Sequence, residues 1–307
     1  MTKFLLTTLA FLVSAPLSFS QAKENTKTPR VLIMTDDDSF GAWIVTADRR
    51  KLRYTETENS TSYEDKLISA VNVYFLEPSA FSEAMALYRS RSYKEAHAQF
   101  GMCKDLYKKF QTVPGNYSTL AAFYQMECTR KQEDLAILDA EMEVFLADQL
   151  LHRSQKIQLE INSVFWDAVR TKAWNRIVSI GQDPKWSERK LSGGQRAQVS
   201  YCMALAYEGT KQPTKALNSY NGAFVADFSA SEVITRKSAL SCLRILKSHE
   251  DVLLAMKLFG TEEYSENSNG AFLIREGIAL VKLWDKSLGG GAKLPDEYKI
   301  FLKYDKK

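Results

Sequence analysis

Histidine and cysteine are scarce in this chain, three and four among 307 residues. No two of them stand at ligand spacing, so a zinc site would need residues gathered from distant parts of the fold, and no metal is expected. Glycine and proline are also few, 14 and 7, which excludes collagen-like and low-complexity chains and favours long regular elements. Neither sign of charge dominates: 41 basic side chains stand against 37 acidic ones, a net of +4. A nucleic-acid-coating protein concentrates positive charge to displace counterions from phosphates, so no nucleic-acid partner is expected. The familiar catalytic strings are missing too. There is no phosphate-cradling G-x-x-x-x-G-K-[ST] loop, no HExxH and no GxSxG, and His97, His152 and His249 stand singly on helical stretches. The sequence offers no catalytic residues, no cofactor and no metal ligands, and the expectation is a protein that is not an enzyme.

What is present begins at the first residues. Lys3 precedes an uncharged apolar run from Phe4 to Ala15, followed by Pro16 and small side chains. That is the pattern of a signal peptide, and the run falls short of the roughly 20 apolar residues that span a bilayer. Ser20-Gln21-Ala22 supplies the small residues of a cleavage site, so residues 1–22 read as the signal peptide and residues 23–29 as a polar linker. No later stretch is apolar enough to span a membrane, so the mature chain is expected to have no integral membrane segment and to work in the periplasm or outer envelope of a bacterium. In that oxidising setting Cys103, Cys128, Cys202 and Cys242 could pair, yet each lies in a helical apolar pattern, where cysteine behaves as a small buried hydrophobe. Cys103 and Cys128, on consecutive helices, are the best-placed pair, and the sequence leaves open whether they bridge.

Residues 30–77 have the pattern of short strands: Val31-Leu32-Ile33-Met34, Ala42-Trp43-Ile44-Val45-Thr46, Lys51-Leu52-Arg53-Tyr54-Thr55 and Val71-Asn72-Val73-Tyr74-Phe75. β-Branched and aromatic residues dominate them. Thr35-Asp36-Asp37-Asp38-Ser39 and Ala47-Asp48-Arg49-Arg50 separate them as turns, which predicts an antiparallel meander. So short a unit buries too little surface alone, so it should curl into a small barrel that leans on the following residues. In shape it resembles the SH3-like or Sm-like barrels at the front of some bacterial envelope proteins.

After Pro78 the chain reads as helical almost throughout, with Ser79 a cap for a helix beginning near Ala80. Ala84, Leu87, Tyr93, Ala96, Phe100 and Cys103 recur at spacings that resemble a tetratricopeptide repeat, in which two antiparallel helices meet at a small residue flanked by aromatics. Ala204, Tyr207, Ala216, Tyr220 and Ala223 form a second copy at matching offsets. Weaker copies place Leu135, Ile177 and Val252 at the crossing position, so that the series Ala96, Leu135, Ile177, Ala216 and Val252 runs at intervals of 39, 42, 39 and 36 residues. The resemblance implies a mainly α fold, a solenoid of helical hairpins over residues 79–307 behind the β-barrel, closed by a capping helix from Asp296 to Lys303. It also implies that these residues hold the fold together while the first helices of each pair present a face to a protein partner.

Leu191-Ser192-Gly193-Gly194-Gln195 matches the signature of ABC-transporter ATPases. That signature acts opposite a phosphate loop that this chain does not have, so the string is read as a helix start capped by Ser192, and no ATP is expected. Asp36-Asp37-Asp38 reads as a solvated turn, Trp166 and Trp174 as core, and Trp43 as an exposed aromatic. Asn59-Ser60-Thr61 and Asn116-Tyr117-Ser118 are glycosylation sequons that matter only in a eukaryotic secretory host. The expectation is an exported non-catalytic scaffold or adaptor that binds another protein. The alternative is a hydrolase of envelope polysaccharide or peptide, with carboxylates gathered from separate repeats.

Overall fold

The computed structural model describes residues 28–226 and 232–305. The expected signal peptide and residues 23–27 of the linker lie outside the described residues.

Five strands come first: β1 (Arg30–Met34), β2 (Ser39–Ala47), β3 (Lys51–Thr55), β4 (Glu64–Leu67) and β5 (Asn72–Phe75). They form one antiparallel sheet in the order β4-β3-β2-β1-β5. Side chains alternate across a strand, so Val31, Ile33, Ala42, Ile44, Leu52 and Tyr54 are buried together on one face. Asp48 closes the β2–β3 hairpin by accepting from the N–H groups of Arg50 and Lys51, at 2.6 and 2.7 Å. β4 was not expected, because Glu64-Asp65-Lys66 carries no β-branched or aromatic signal. Polar pairing to β3 holds it instead: Arg53 meets Asp65 at 2.7 Å and the Tyr54 hydroxyl donates to Glu64 at 2.6 Å.

The sheet is open and is not the expected barrel. β4 and β5 are its two edges and share no ladder. Both are four residues long, and the charged β4 has little apolar surface to close against its opposite edge. The buried face is covered from outside. Phe110, in a single 3-10 turn (Lys108–Phe110), packs into the sheet's core with its ring 6.3 Å from Phe75. Burying one such ring stabilises by about 2–3 kcal/mol, so the helical part supplies the lid that closure would have supplied.

Thirteen helices follow among the described residues: α1 (Ser79–Arg89), α2 (Tyr93–Leu106), α3 (Tyr117–Gln132), α4 (Leu135–Glu143), α5 (Arg153–Ile161), α6 (Asp167–Arg170), α7 (Trp174–Gln182), α8 (Pro184–Ser187), α9 (Gly193–Gly209), α10 (Pro213–Ala226), α11 (Glu232–Ser248), α12 (Glu250–Leu258) and α13 (Asn269–Leu283). A π turn over residues 162–166 runs α5 into α6 as one long helix. The expected capping helix is a 3-10 helix (Asp296–Tyr304), anchored by the buried Phe301. α1 begins at Ser79 itself, with Pro78 flanking it and no side-chain cap, which corrects the expected role of Ser79.

Four helical hairpins turn in the same way. Arg91, Glu133, Lys172 and Lys211, 42, 39 and 39 residues apart, each have positive φ, between 53° and 66°. In each case the next residue's N–H reaches back five residues: Ser92 to Leu87, Asp134 to Thr129, Ala173 to Ala168 and Gln212 to Tyr207. This is the Schellman ending, which satisfies carbonyls orphaned at a helix C-terminus. The carbonyls of Ser92, Asp134, Ala173 and Gln212 then accept from Ala96, Leu138, Ile177 and Ala216, starting the second helix. The four donor residues, Ala96, Leu138, Ile177 and Ala216, are buried. The crossing residue of α4 is therefore Leu138, and the half-buried Leu135 is one turn early; a shift of three residues nearly maps a helical face onto itself, so periodicity alone does not separate the two. No disulfide joins Cys103 to Cys128, and all four cysteines are buried thiols.

Where hairpins pack closely, glycine is used for space. A Cβ on Gly209 would lie 2.4 Å from the Trp174 ring, whereas one on Gly222 would meet Ser200 at an ordinary 3.6 Å. Gly209→Ala should destabilise by about 1–3 kcal/mol through overpacking, while Gly222→Ala should stabilise by up to about 1 kcal/mol through helix propensity. Urea unfolding of the two variants distinguishes them by sign; equal effects would contradict this packing.

Candidate functional site

Asn116 starts α3: its Oδ1 accepts from the Thr119 N–H at 2.8 Å and its amide donates to Val113 O at 2.7 Å. Asn116 is buried in this cap, so the sequon it heads is closed to a modifying enzyme in the folded state. α3 then runs between neighbouring hairpins, with Ala121, Phe123, Met126 and Cys128 buried among apolar neighbours. Its last turns are polar but equally buried: Glu127, Arg130 and Lys131 are each at most 8% exposed.

Glu127 and Arg130 form a two-point ion pair. The guanidinium donates through Nε to Oε1 at 2.9 Å and through a terminal nitrogen to Oε2 at 2.6 Å. Burial alone would push the Glu127 carboxyl up, but the Arg130 charge and its hydrogen bonds outweigh burial and hold it below the usual carboxylate range. The same pair outweighs burial at Arg130 and keeps its guanidinium protonated. Lys131 is different. Burial, and next the adjacent Arg130 charge, push its ammonium down to about 8, with Glu127 acting in the opposite direction. The rings of Tyr88 and Tyr93 flank it, 5.5 and 5.3 Å from Nζ to the centroids.

These groups line one open groove of about 280 Å³. Its walls come from the first helices of successive hairpins: Tyr88 of α1, Tyr124, Glu127, Arg130 and Lys131 of α3, Gln155 and Gln158 of α5, and Gln195 and Gln198 of α9. The floor is held by amides. Gln158 and Gln198 exchange hydrogen bonds at 2.8 and 3.0 Å, and the buried Trp166 donates its indole N–H to Gln198 at 3.0 Å. The string Leu191-Ser192-Gly193-Gly194-Gln195 enters here as a capping box: Ser192 Oγ accepts from the Gln195 N–H and Gln195 Oε1 accepts from the Ser192 N–H. Gln195 also donates to Ser154 O at 3.0 Å, tying the first turns of α9 and α5 together. With Ser154, Ser192 and Gly194 in the lining, two helix N-termini open on the groove.

The residues singled out from the sequence lie elsewhere, between helices. Ala84, Ala96, Phe100, Ala204, Ala216, Tyr220 and Ala223 are fully buried, Tyr207 nearly so, and Leu87 and Tyr93 half-buried. Of these Tyr93 meets the groove's chemistry through Lys131, and Phe100 packs behind two of its lining rings, 5.5 Å from Tyr124 and 6.4 Å from Tyr88. Glu127, Arg130, Lys131 and the glutamines went unnoticed because scattered polar residues on a helix read as solvated. The available signal was spacing: Tyr124, Glu127 and Lys131 recur at i, i+3 and i+7, which puts them on one face. Asp36-Asp37-Asp38 is an exposed turn, and Arg30 covers the Trp43 ring at 5.3 Å. Among the described residues no group of three or more His, Cys, Asp or Glu has a metal-holding arrangement, and no helix is long and apolar enough to cross a membrane. No family model matches the chain, and neither the curated proteins nor the solved structures contain a match.

Two outcomes test this electrostatic account. Arg130→Met should cost about 3–5 kcal/mol, because it strands a buried carboxylate, and adding Glu127→Leu should recover most of the loss. A double variant as unstable as the single in urea melts would contradict the pairing. For Lys131, folded and unfolded chains are both protonated below about 8, whereas between there and 10.5 the unfolded chain keeps a proton that the folded chain releases. Stability therefore rises with pH across that window. Relative to Lys131→Met, the wild type should gain about 2–3 kcal/mol between pH 7 and 10.5, and parallel stability curves would rule this out.

Proposed function

We propose that the protein is an exported, non-catalytic scaffold or adaptor of tetratricopeptide-like hairpins, working in the bacterial periplasm or outer envelope by binding another protein. The observation that carries this reading is the convergence of first-helix side chains from α1, α3, α5 and α9 on one groove. In helical repeats such a face is where a partner chain is met, because the remaining faces of each helix are used up in stacking. The turns shared by four hairpins, at intervals of 42, 39 and 39 residues, support the repeat reading. Export rests on the leader-like sequence of residues 1–22.

The groove's chemistry favours binding over hydrolysis. A glycoside hydrolase needs two carboxyl groups flanking the scissile bond, and the lining here has one, Glu127, engaged by Arg130. The cysteines are poor nucleophiles for a peptide: burial pushes the Cys128 thiol up to about 12 and Cys202 and Cys242 also upward.

The test is affinity capture from envelope fractions with the mature chain, set beside Ser154→Trp, which fills the groove from its rim, and Asp37→Arg in the distant β1–β2 turn. A partner retained by the wild type and by Asp37→Arg but lost with Ser154→Trp is the expected result. Retention that ignores Ser154→Trp, or turnover of envelope glycan or peptide with no partner held, would overturn the proposal.

A further inference from the structure

The two edges of the sheet differ in charge. An edge strand presents unpaired N–H and C=O groups to other chains, and folds guard such edges with charged side chains, proline or bulges. β4 is guarded by the consecutive charges of Glu64-Asp65-Lys66. β5, Asn72-Val73-Tyr74-Phe75, has the same length but no charge, proline or bulge. Its outer face is apolar as well. Tyr74 and Leu76 are exposed, the exposed Leu32 stands opposite Tyr74 in the ladder, and the exposed Met34 lies two residues further along the same face. These side chains form one patch that runs up to the open edge.

The ladder fixes which backbone groups that edge offers. The Leu76 N–H donates to Arg30 O at 3.1 Å, so by antiparallel alternation Leu76, Tyr74 and Asn72 turn their backbone groups toward β1 and Val73 and Phe75 turn theirs outward. A strand that pairs with its own copy about a twofold axis must set residues of the same face opposite each other, at places where outward groups meet. An axis at Tyr74 satisfies both demands. Val73 of each copy then lies opposite Phe75 of the other and exchanges both N–H···O bonds with it. The half-buried Val73 and Phe75 side chains pack across the join on the core side, while the two Tyr74 rings meet on the outer face and each Leu76 faces the other copy's Asn72. Because β5 is uncharged, no like charges are opposed.

We infer that β5 pairs antiparallel with β5 of a second copy of the chain, so that the two sheets become one across a twofold dimer axis. A second copy is the occupant because one short segment supplies both sides of every contact, in a register that uses each outward N–H and C=O of Val73 and Phe75. The surface is separate from the groove between α1, α3, α5 and α9, and the inference does not depend on what that groove holds.

Sedimentation equilibrium of the mature chain should show a monomer–dimer equilibrium. Tyr74→Lys sets two ammonium groups opposite each other and should raise the dimer dissociation constant at least about tenfold, whereas Leu67→Lys on the β4 edge should leave it unchanged. Both side chains are exposed, so circular dichroism should match the wild type. Crosslinking reads the register. The two Tyr74 Cα atoms should lie about 4.5 Å apart, within disulfide range, so Tyr74→Cys should give a linked dimer on oxidation, while Leu76→Cys and Leu67→Cys, held away from their copies, should not. The native thiols are buried and do not compete. A wild type that stays monomeric at its highest soluble concentration, with no Tyr74→Cys crosslink, would overturn the proposal. So would a dimer that withstands Tyr74→Lys, since its interface would lie elsewhere, and crosslinking of Leu76→Cys ahead of Tyr74→Cys would overturn the register. A monomer whose captured envelope partner is lost with Tyr74→Lys would give the edge to a foreign strand and overturn the choice of a second copy.

Discussion

A helical hairpin packs tightly only if the chain reverses within a residue or two, and here that reversal is made four times by one residue held in the left-handed region. Arg91, Glu133, Lys172 and Lys211 take the position that glycine usually occupies. Each pays roughly 1–2 kcal/mol of steric cost for doing so. In exchange, the Schellman bonds fix how far the second helix starts from the first, and so bury Ala96, Leu138, Ile177 and Ala216 at equivalent places. Because the turn sets the register, it also sets which faces of α1, α3, α5 and α9 look into the same space. The groove is a consequence of the turns.

That geometry brings charge into places where solvent would otherwise screen it. On an exposed helix the Glu127–Arg130 pair would contribute a few tenths of a kcal/mol. Buried between hairpins, both groups lose hydration, and the pair must be complete because either half alone is costly. Lys131 sits beside it with burial and a neighbouring cation both opposing its charge.

The sheet and the helices depend on each other in one direction more than the other. The hairpins have extended apolar interiors, from Phe81 and Phe100 at the start to Trp284 and Phe301 at the end. The sheet has one face of six strand residues and closes it with Phe110 from the helical side. A sheet that borrows its lid does not need to close on itself, which is why a short β unit expected as a barrel remains open.

Periodicity and composition determined much of this protein. Apolar residues at helical spacing announced the hairpins, and the pairing of Ala84 with Ala96 and of Ala204 with Ala216 was visible because small residues where helices cross are a local pattern. The strands with β-branched and aromatic residues were equally legible, while β4 was not, since its stability comes from Arg53 and Tyr54 across the ladder and not from its own side chains. The register of α4 was ambiguous by one turn for the same reason that helices are periodic. What only the tertiary structure decided is the groove. Glu127, Arg130, Lys131, Gln158 and Gln198 are ordinary polar helix residues until α3, α5 and α9 are brought side by side, because burial, ionisation and hydrogen-bond partners are properties of neighbours far along the chain.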